Sequence, residues 1–186
     1  MLHINQTIDG FLSPDQLFIG EPVGMRALAF DCLAREFHKL FDAKFDDVIN
    51  NIMKVQKTNR IDATIKAQYY IEQVRNLYAD EAENLAKPIR EIMYRAIEEE
   101  KVGNVNQAVQ LFEQVAEHAF PPSTPYERLR IIYTKQGFYQ DAIRICKRYI
   151  EVLNMVKAFW VDYPNIRSIP KYQGYIDRLT IKLNNQ

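Results

Sequence analysis

Lys101-Val-Gly103-Asn-Val105-Asn-Gln-Ala108-Val109 returns as Lys135-Gln-Gly137-Phe-Tyr139-Gln-Asp-Ala142-Ile143. The two lysines, the two glycines and the two alanines each stand 34 residues apart. A fixed period of this size on helical sequence signals stacked helix–turn–helix units, none of which buries its apolar face alone. The glycine suits a tight turn that ends one helix. The alanine, a turn into the next helix, lets the paired helices approach.

Helical periodicity extends outward from this repeat in both directions. Ile89, Ile92, Met93, Ala96 and Ile97 share a face that ends at Gly103. Ala108, Leu111, Phe112, Val115 and Ala116 mark the partner helix, and Phe120-Pro121-Pro122 stops it. Thr124-Pro125-Tyr126-Glu127 is a capping box with proline at the first helical position. It opens a helix presenting Tyr126, Leu129, Ile132 and Tyr133, followed by a helix from Tyr139 through Cys146 and Tyr149 to Leu153. Pro164 and Pro170 bracket a loop, and Tyr175, Ile176, Leu179 and Leu183 suggest a last helix.

Toward the N-terminus, Ser13-Pro14-Asp15-Gln16 suggests a short helical turn, and Gly20, Pro22 and Gly24 break it. A helix is expected from Met25 to Phe41, and a second through Phe45, Val48, Ile49, Ile52 and Val55. One long stripe then runs through Ile61, Ile65, Tyr70, Val74, Leu77, Tyr78, Ala82 and Leu85. It breaks at Asp80 or runs to Lys87, where Pro88 forces a new start. No segment alternates with period two between hairpin turns. The fold class is all-α, with seven or eight helices and helix content above roughly 60%. The organisation expected is an N-terminal extension over 1–24, helical pairs over 25–87, and repeats with a C-terminal capping helix over 88–186.

From about Ile89 to Leu153 the chain resembles tetratricopeptide repeats. The resemblance rests on the glycine turn, on Ala108 and Ala142, on the large residues Phe112, Tyr126, Leu129, Tyr133 and Tyr139, and on Pro121-Pro122 at the terminating position. Arg130 stands where the family prefers a small residue, and Cys146 replaces an aromatic. Trp160 sits 34 residues after Tyr126, and Pro164 then breaks any third unit. The resemblance implies antiparallel helix pairs in a right-handed array, with the first helix of each pair lining a groove for an extended peptide. It assigns Arg90, Met93, Tyr94, Ile97 and Lys101 to that groove from one unit. From the other it assigns Glu127, Arg128, Ile131, Thr134 and Lys135. Ile97/Ile131 and Lys101/Lys135 recur at the repeat period, giving an apolar floor with lysine rims.

Signatures of catalysis are absent: no P-loop, dinucleotide fingerprint, nucleophile elbow or zincin motif occurs. His3, His38 and His118 lie in separate segments, and His118 lacks a ligand partner at helical spacing, so no metal or cofactor is expected. Cys32 and Cys146 sit in apolar stripes and are expected as free thiols. With no basic n-region after Met1 and no uncharged apolar run near 20 residues, the chain is expected to be soluble and cytoplasmic. The formal net charge is zero but polarised. Residues 1–120 carry 13 basic and 19 acidic residues, net −6, and residues 121–186 carry 11 and 5, net +6.

These readings point to a non-enzymatic module that binds another protein or a peptide. Nucleic acid is the alternative partner, gripped by a basic face over 128–148 in which Arg144, Lys147 and Arg148 share one helix side. A self-associating structural subunit is a further alternative, with contacts or caps around Tyr175–Leu183 and Phe159-Trp160.

Overall fold

The computed structural model describes residues 18–42, 45–160 and 162–185, and every regular element among them is helical. Seven α-helices run in chain order among the described residues: α1 (Val23–Asp42), α2 (Phe45–Gln56), α3 (Arg60–Lys101), α4 (Val105–Glu117), α5 (Thr124–Gln136), α6 (Tyr139–Phe159) and α7 (Ile169–Asn184). A 3₁₀ turn, Pro164–Ser168, precedes α7. Helix accounts for 85% of the structure, above the threshold set by the periodicity. The Ser13–Gln16 signal lies outside the described residues.

The chain divides into two compact units: Met1–Glu21 with Ala29–Glu83, and Pro22–Leu28 with Asn84–Gln186. The helices α1 and α3 each contribute to both.

In the second unit the 34-residue echo is an echo of backbone geometry. Gly103 and Gly137 take φ of +87° and +78°, the left-handed region that a Cβ disfavours. The N–H of Gly103 donates to Glu100 O (3.1 Å) and that of Asn104 to Glu99 O (2.8 Å). Thirty-four residues on, Gly137 donates to Thr134 O (3.3 Å) and Phe138 to Tyr133 O (2.9 Å). Both are Schellman-type endings that satisfy the last carbonyls of a helix. Asn104 and Phe138, the residues that start the following helices, share φ/ψ of −78°/58° and −80°/64°.

Each turn delivers its alanine to a contact without space. Ala108 and Ala142 are fully buried in one cluster with Ala96, Phe112, Leu129 and Tyr133. Replacing either alanine by Leu is expected to overpack the cluster at a cost of about 1–3 kcal/mol. In a chain of this size that lowers the melting temperature by roughly 2–12 °C. Wild-type melting in both variants would show that the paired helices do not touch there.

Aromatic residues carry this core onward to α7. Tyr126 of α5 stacks on Tyr149 of α6 at 4.5 Å between ring centroids, and Tyr149 meets Tyr172 of α7 edge-on at 4.7 Å. The helix α7 turns Tyr172, Ile176 and Leu179 inward and leaves Lys171, Gln173, Asp177 and Arg178 exposed. It starts earlier than its apolar stripe indicates, because Pro170 lies in its first turn, where a missing N–H costs nothing. Pro170 therefore opens the helix rather than closing a loop.

The start of α1 is fixed to the end of α4. The N–H of Gly24 donates to His118 O at 2.8 Å. A Cβ on Gly24 would lie 2.6 Å from that oxygen, 2.8 Å from Ala119 O and 2.8 Å from the Phe120 Cα. Val23 packs beside Ile89, Met93, Val115 and Phe120 in a second apolar cluster.

The long helix α3 corrects two expectations. Pro88 lies inside α3 and starts nothing. It is exposed, and so is Asn84, whose carbonyl loses its i+4 N–H partner to the proline but lies open to solvent. Burial of Ala82 before the proline and Ile89 and Met93 after it helps offset a cost of about 3 kcal/mol. The long stripe also splits. Ala63, Ala67, Val74, Tyr78 and Ala82 face the core, while Ile61, Ile65 and Leu77 face outward. The core row has small residues at Ala63 and Ala67, and the larger Ile61 and Ile65 lie on the exposed side.

Candidate functional site

The resemblance directs attention to two sets of residues, one on α3 and α5 and the other on α4 and α6. On α3, Tyr94, Ile97 and Lys101 share a face by i, i+3 and i+7 spacing. On α5, Arg128, Ile131 and Lys135 repeat that spacing. An ion pair between Arg128 and Glu100 joins the two rows, with Arg128 Nε donating to Glu100 Oε2 at 2.6 Å. The carboxylate of Glu100 beside Arg128 holds the guanidinium above its usual range.

The residues assigned to a groove are not equally presented. Tyr94 is 59% exposed, Lys101 and Lys135 are exposed, and Arg90, Arg128 and Ile131 are half-buried. Ile97 is half-buried against both apolar clusters. Met93 is buried against Val115 and Phe120, so it belongs to the core and offers a ligand nothing. Glu127 also leaves the row. It pairs with Arg130 at 2.9 Å and accepts a hydrogen bond from the Tyr172 hydroxyl at 3.0 Å, which directs it to α7. Burial alone would raise its pKa, but Arg130, Tyr172 and Lys171 outweigh burial and hold it lowered. Lys101 is steadied by Glu98 at 2.7 Å.

Glu100 is the residue that sequence reading missed. Within Glu98-Glu99-Glu100 each carboxylate does a different job. Glu98 pairs with Lys101, Glu99 accepts from the Asn104 side chain at 2.7 Å, and Glu100 crosses to α5. No periodic signal links residues 28 apart, so the Glu100–Arg128 pair was not legible.

Arg130, the departure from the small residue the resemblance calls for, has a partner that explains it. Its guanidinium lies 4.0 Å from the centroid of the Tyr175 ring and pairs with Glu127. A long cation fits there because α7 offers an aromatic face.

On the opposite face, Arg144, Lys147 and Arg148 line a concavity of about 500 Å³ together with Glu113, Glu117 and Glu151. Arg144 grips Glu113 with two donors at 2.6 and 3.2 Å, and Glu113 also accepts from the Tyr133 hydroxyl at 2.6 Å. The Glu113 carboxylate holds the Arg144 pKa well above its usual value. Arg148 donates to Ala116 O and Glu117 O, both at 3.4 Å, which caps the last turn of α4. Among the described residues, Lys147 pairs with none of the carboxylates lining this concavity, unlike Arg144 and Arg148.

Neither Cys32 nor Cys146 forms a disulfide, and burial pushes the Cys146 thiol up to about 12, which leaves it unreactive. Among the described residues no group of three or more His, Cys, Asp or Glu side chains is placed to hold a metal ion. No helix among them is long and apolar enough to cross a membrane. No protein-family model matches the chain, and no curated protein or solved structure matches it.

Proposed function

We propose that this chain is a non-enzymatic protein-interaction module. Its paired helices form a right-handed, tetratricopeptide-like array that holds an extended peptide or partner protein on the α3/α5 face, in a reducing cytoplasmic setting. The observation that carries this reading is the repeated Schellman turn at Gly103 and Gly137. Equivalent turns support equivalent positions for α3 and α5, with Tyr94, Ile97 and Lys101 as one row and Ile131 and Lys135 as the next. Apolar centres between lysine rims suit a segment with apolar and acidic side chains. The Glu100–Arg128 pair then acts as a clamp between the two first helices and is not itself a ligand contact.

Nucleic acid as the partner is disfavoured by the internal pairing of Arg144 with Glu113 and of Arg148 with the end of α4. Phosphate binding needs cations free to displace counterions.

The test is affinity capture from a lysate before and after nuclease treatment, followed by titration of the captured species. Ile131→Glu is expected to abolish binding, because an unpaired charge would face an apolar contact. Lys101→Ala with Lys135→Ala is expected to slow association and reduce its salt dependence. Neutralising Arg144, Lys147 and Arg148 is expected to change affinity less than threefold. If the triad dominates and Ile131→Glu is silent, the assignment to the α3/α5 face fails.

A further inference from the structure

In the first unit, the outward row of α3 has an unusual composition. Ile61, Ile65 and Tyr69 are 74%, 60% and 61% exposed. Spacing of four residues puts them on one ridge about 12 Å long. Val55, at the end of α2, is 66% exposed. The core-facing positions of the same stretch are Ala63 and Ala67, both fully buried. This segment therefore shows its larger apolar side chains to the outside, which marks an interaction surface.

The charges around this row select its occupant. Residues 54–60 hold Lys54, Lys57 and Arg60 and no carboxylate. Residues 72–83 hold Glu72, Asp80, Glu81 and Glu83 against Arg75. A surface with an apolar centre, a cationic flank and an anionic flank is complementary to itself when turned end for end. We propose that a second copy of this chain docks here, with two α3 helices crossing antiparallel about a two-fold axis at Ile65. The two Ile65 side chains meet on the axis, and each Ile61 lies against the partner's Tyr69. The Lys54–Arg60 corner of each copy then runs along residues 70–83 of the other, with Lys57 near the partner's Glu72. Arg60 already pairs with Asp46 at 2.6 Å and Glu72 with Arg75 at 3.5 Å, so the charges set orientation more than strength. An isologous contact of this kind closes at two copies. The apolar row is short, so the dimer is expected to be weak and to form at micromolar or higher concentrations. This surface is separate from the α3/α5 face and stands whether or not that face binds peptides.

Sedimentation velocity of the full chain from about 1 to 300 μM tests the proposal, with circular dichroism to verify folding of each variant. Wild type is expected to pass from monomer to dimer across this range. Ile65→Asp is expected to raise the dissociation constant at least tenfold, beyond the range sampled. Lys57→Glu and Glu72→Lys are each expected to weaken the dimer severalfold, because like charges then meet across the axis. The double variant is expected to recover wild-type association. A strict monomer at every concentration, or a dimer indifferent to Ile65→Asp, overturns the docking surface. Failure of the double variant to recover overturns the antiparallel pairing.

Discussion

Gly24→Ala is expected to destabilise the second unit by about 3 kcal/mol or more, the upper end of overpacking costs. For a chain of this length that lowers the melting temperature by roughly 6–12 °C. The methyl would lie 2.6 Å from His118 O, 2.8 Å from Ala119 O and 2.8 Å from the Phe120 Cα. All three are backbone atoms, so no rotamer change relieves the overlap. Relief requires the start of α1 to move off the end of α4. That movement breaks the Gly24 N–H bond to His118 O and uncovers Val23 from the cluster around Phe120. Gly174→Ala provides the control. There a Cβ meets only the Arg178 guanidinium, at 3.8 Å, inside α7. Alanine is the better helix former by about 0.8–1 kcal/mol, so this variant is expected to melt higher than wild type. Thermal scans of the two substitutions should move in opposite directions. A Gly24→Ala protein that melts with wild type would show that α1 is not seated on α4.

This contact illustrates what the sequence conceals. Gly24 sits among Gly20 and Pro22 and reads as a helix breaker. Its importance depends on a carbonyl 94 positions away, which no local pattern encodes. The Gly103 and Gly137 turns were legible because their determinants are local. A left-handed residue, a Schellman bond and a buried alanine all fall within ten residues and recur at a fixed period. The same locality explains the correct placement of α1, α2, α4 and α5.

The errors arose where a tertiary neighbour decides between two local possibilities. Ile61 and Ile65 outrank Ala63 and Ala67 in hydrophobicity, yet the alanine row is the buried one. Pro88 opposes a helix locally, yet its outward position and the apolar residues on either side carry α3 through it. For the proposed surface, the resemblance assigned rows on α3 and α5 but could not show their depth. Met93 falls into the core, and Glu127 turns to Arg130 and Tyr172. The charge pairs Glu100–Arg128 and Glu113–Arg144 lie 28 and 31 residues apart, distances at which helical periodicity holds no information.

The largest loss expected from a single truncation is at Tyr149. Its ring is fully buried between Tyr126 at 4.5 Å and Tyr172 at 4.7 Å, so it joins α5, α6 and α7. Tyr149→Ala removes both ring contacts and leaves a cavity, at a cost of about 3–5 kcal/mol. Much of that loss should fall on α7, whose Tyr172 loses its neighbour, so proteolysis within residues 169–184 is expected to accelerate. The hydroxyl matters far less than the ring. Tyr149 Oη donates to Pro121 O at a long 3.3 Å and has Asn165 and Ser123 beside it, and Tyr149→Phe is expected to cost about 0.5–1.5 kcal/mol. Tyr126 reverses the sign. Its hydroxyl is buried without a hydrogen-bond partner, and burial pushes its pKa well above the ordinary value for tyrosine. Removing that oxygen also removes its desolvation penalty, so Tyr126→Phe is expected to be neutral or to stabilise by up to about 1 kcal/mol. Urea unfolding of the three variants at constant m distinguishes these effects. The midpoints should rank Tyr126→Phe at or above wild type, Tyr149→Phe slightly below and Tyr149→Ala far below. A Tyr126→Phe midpoint well under wild type would show that the hydroxyl has a partner, and a mild Tyr149→Ala would show that α7 is held by other contacts.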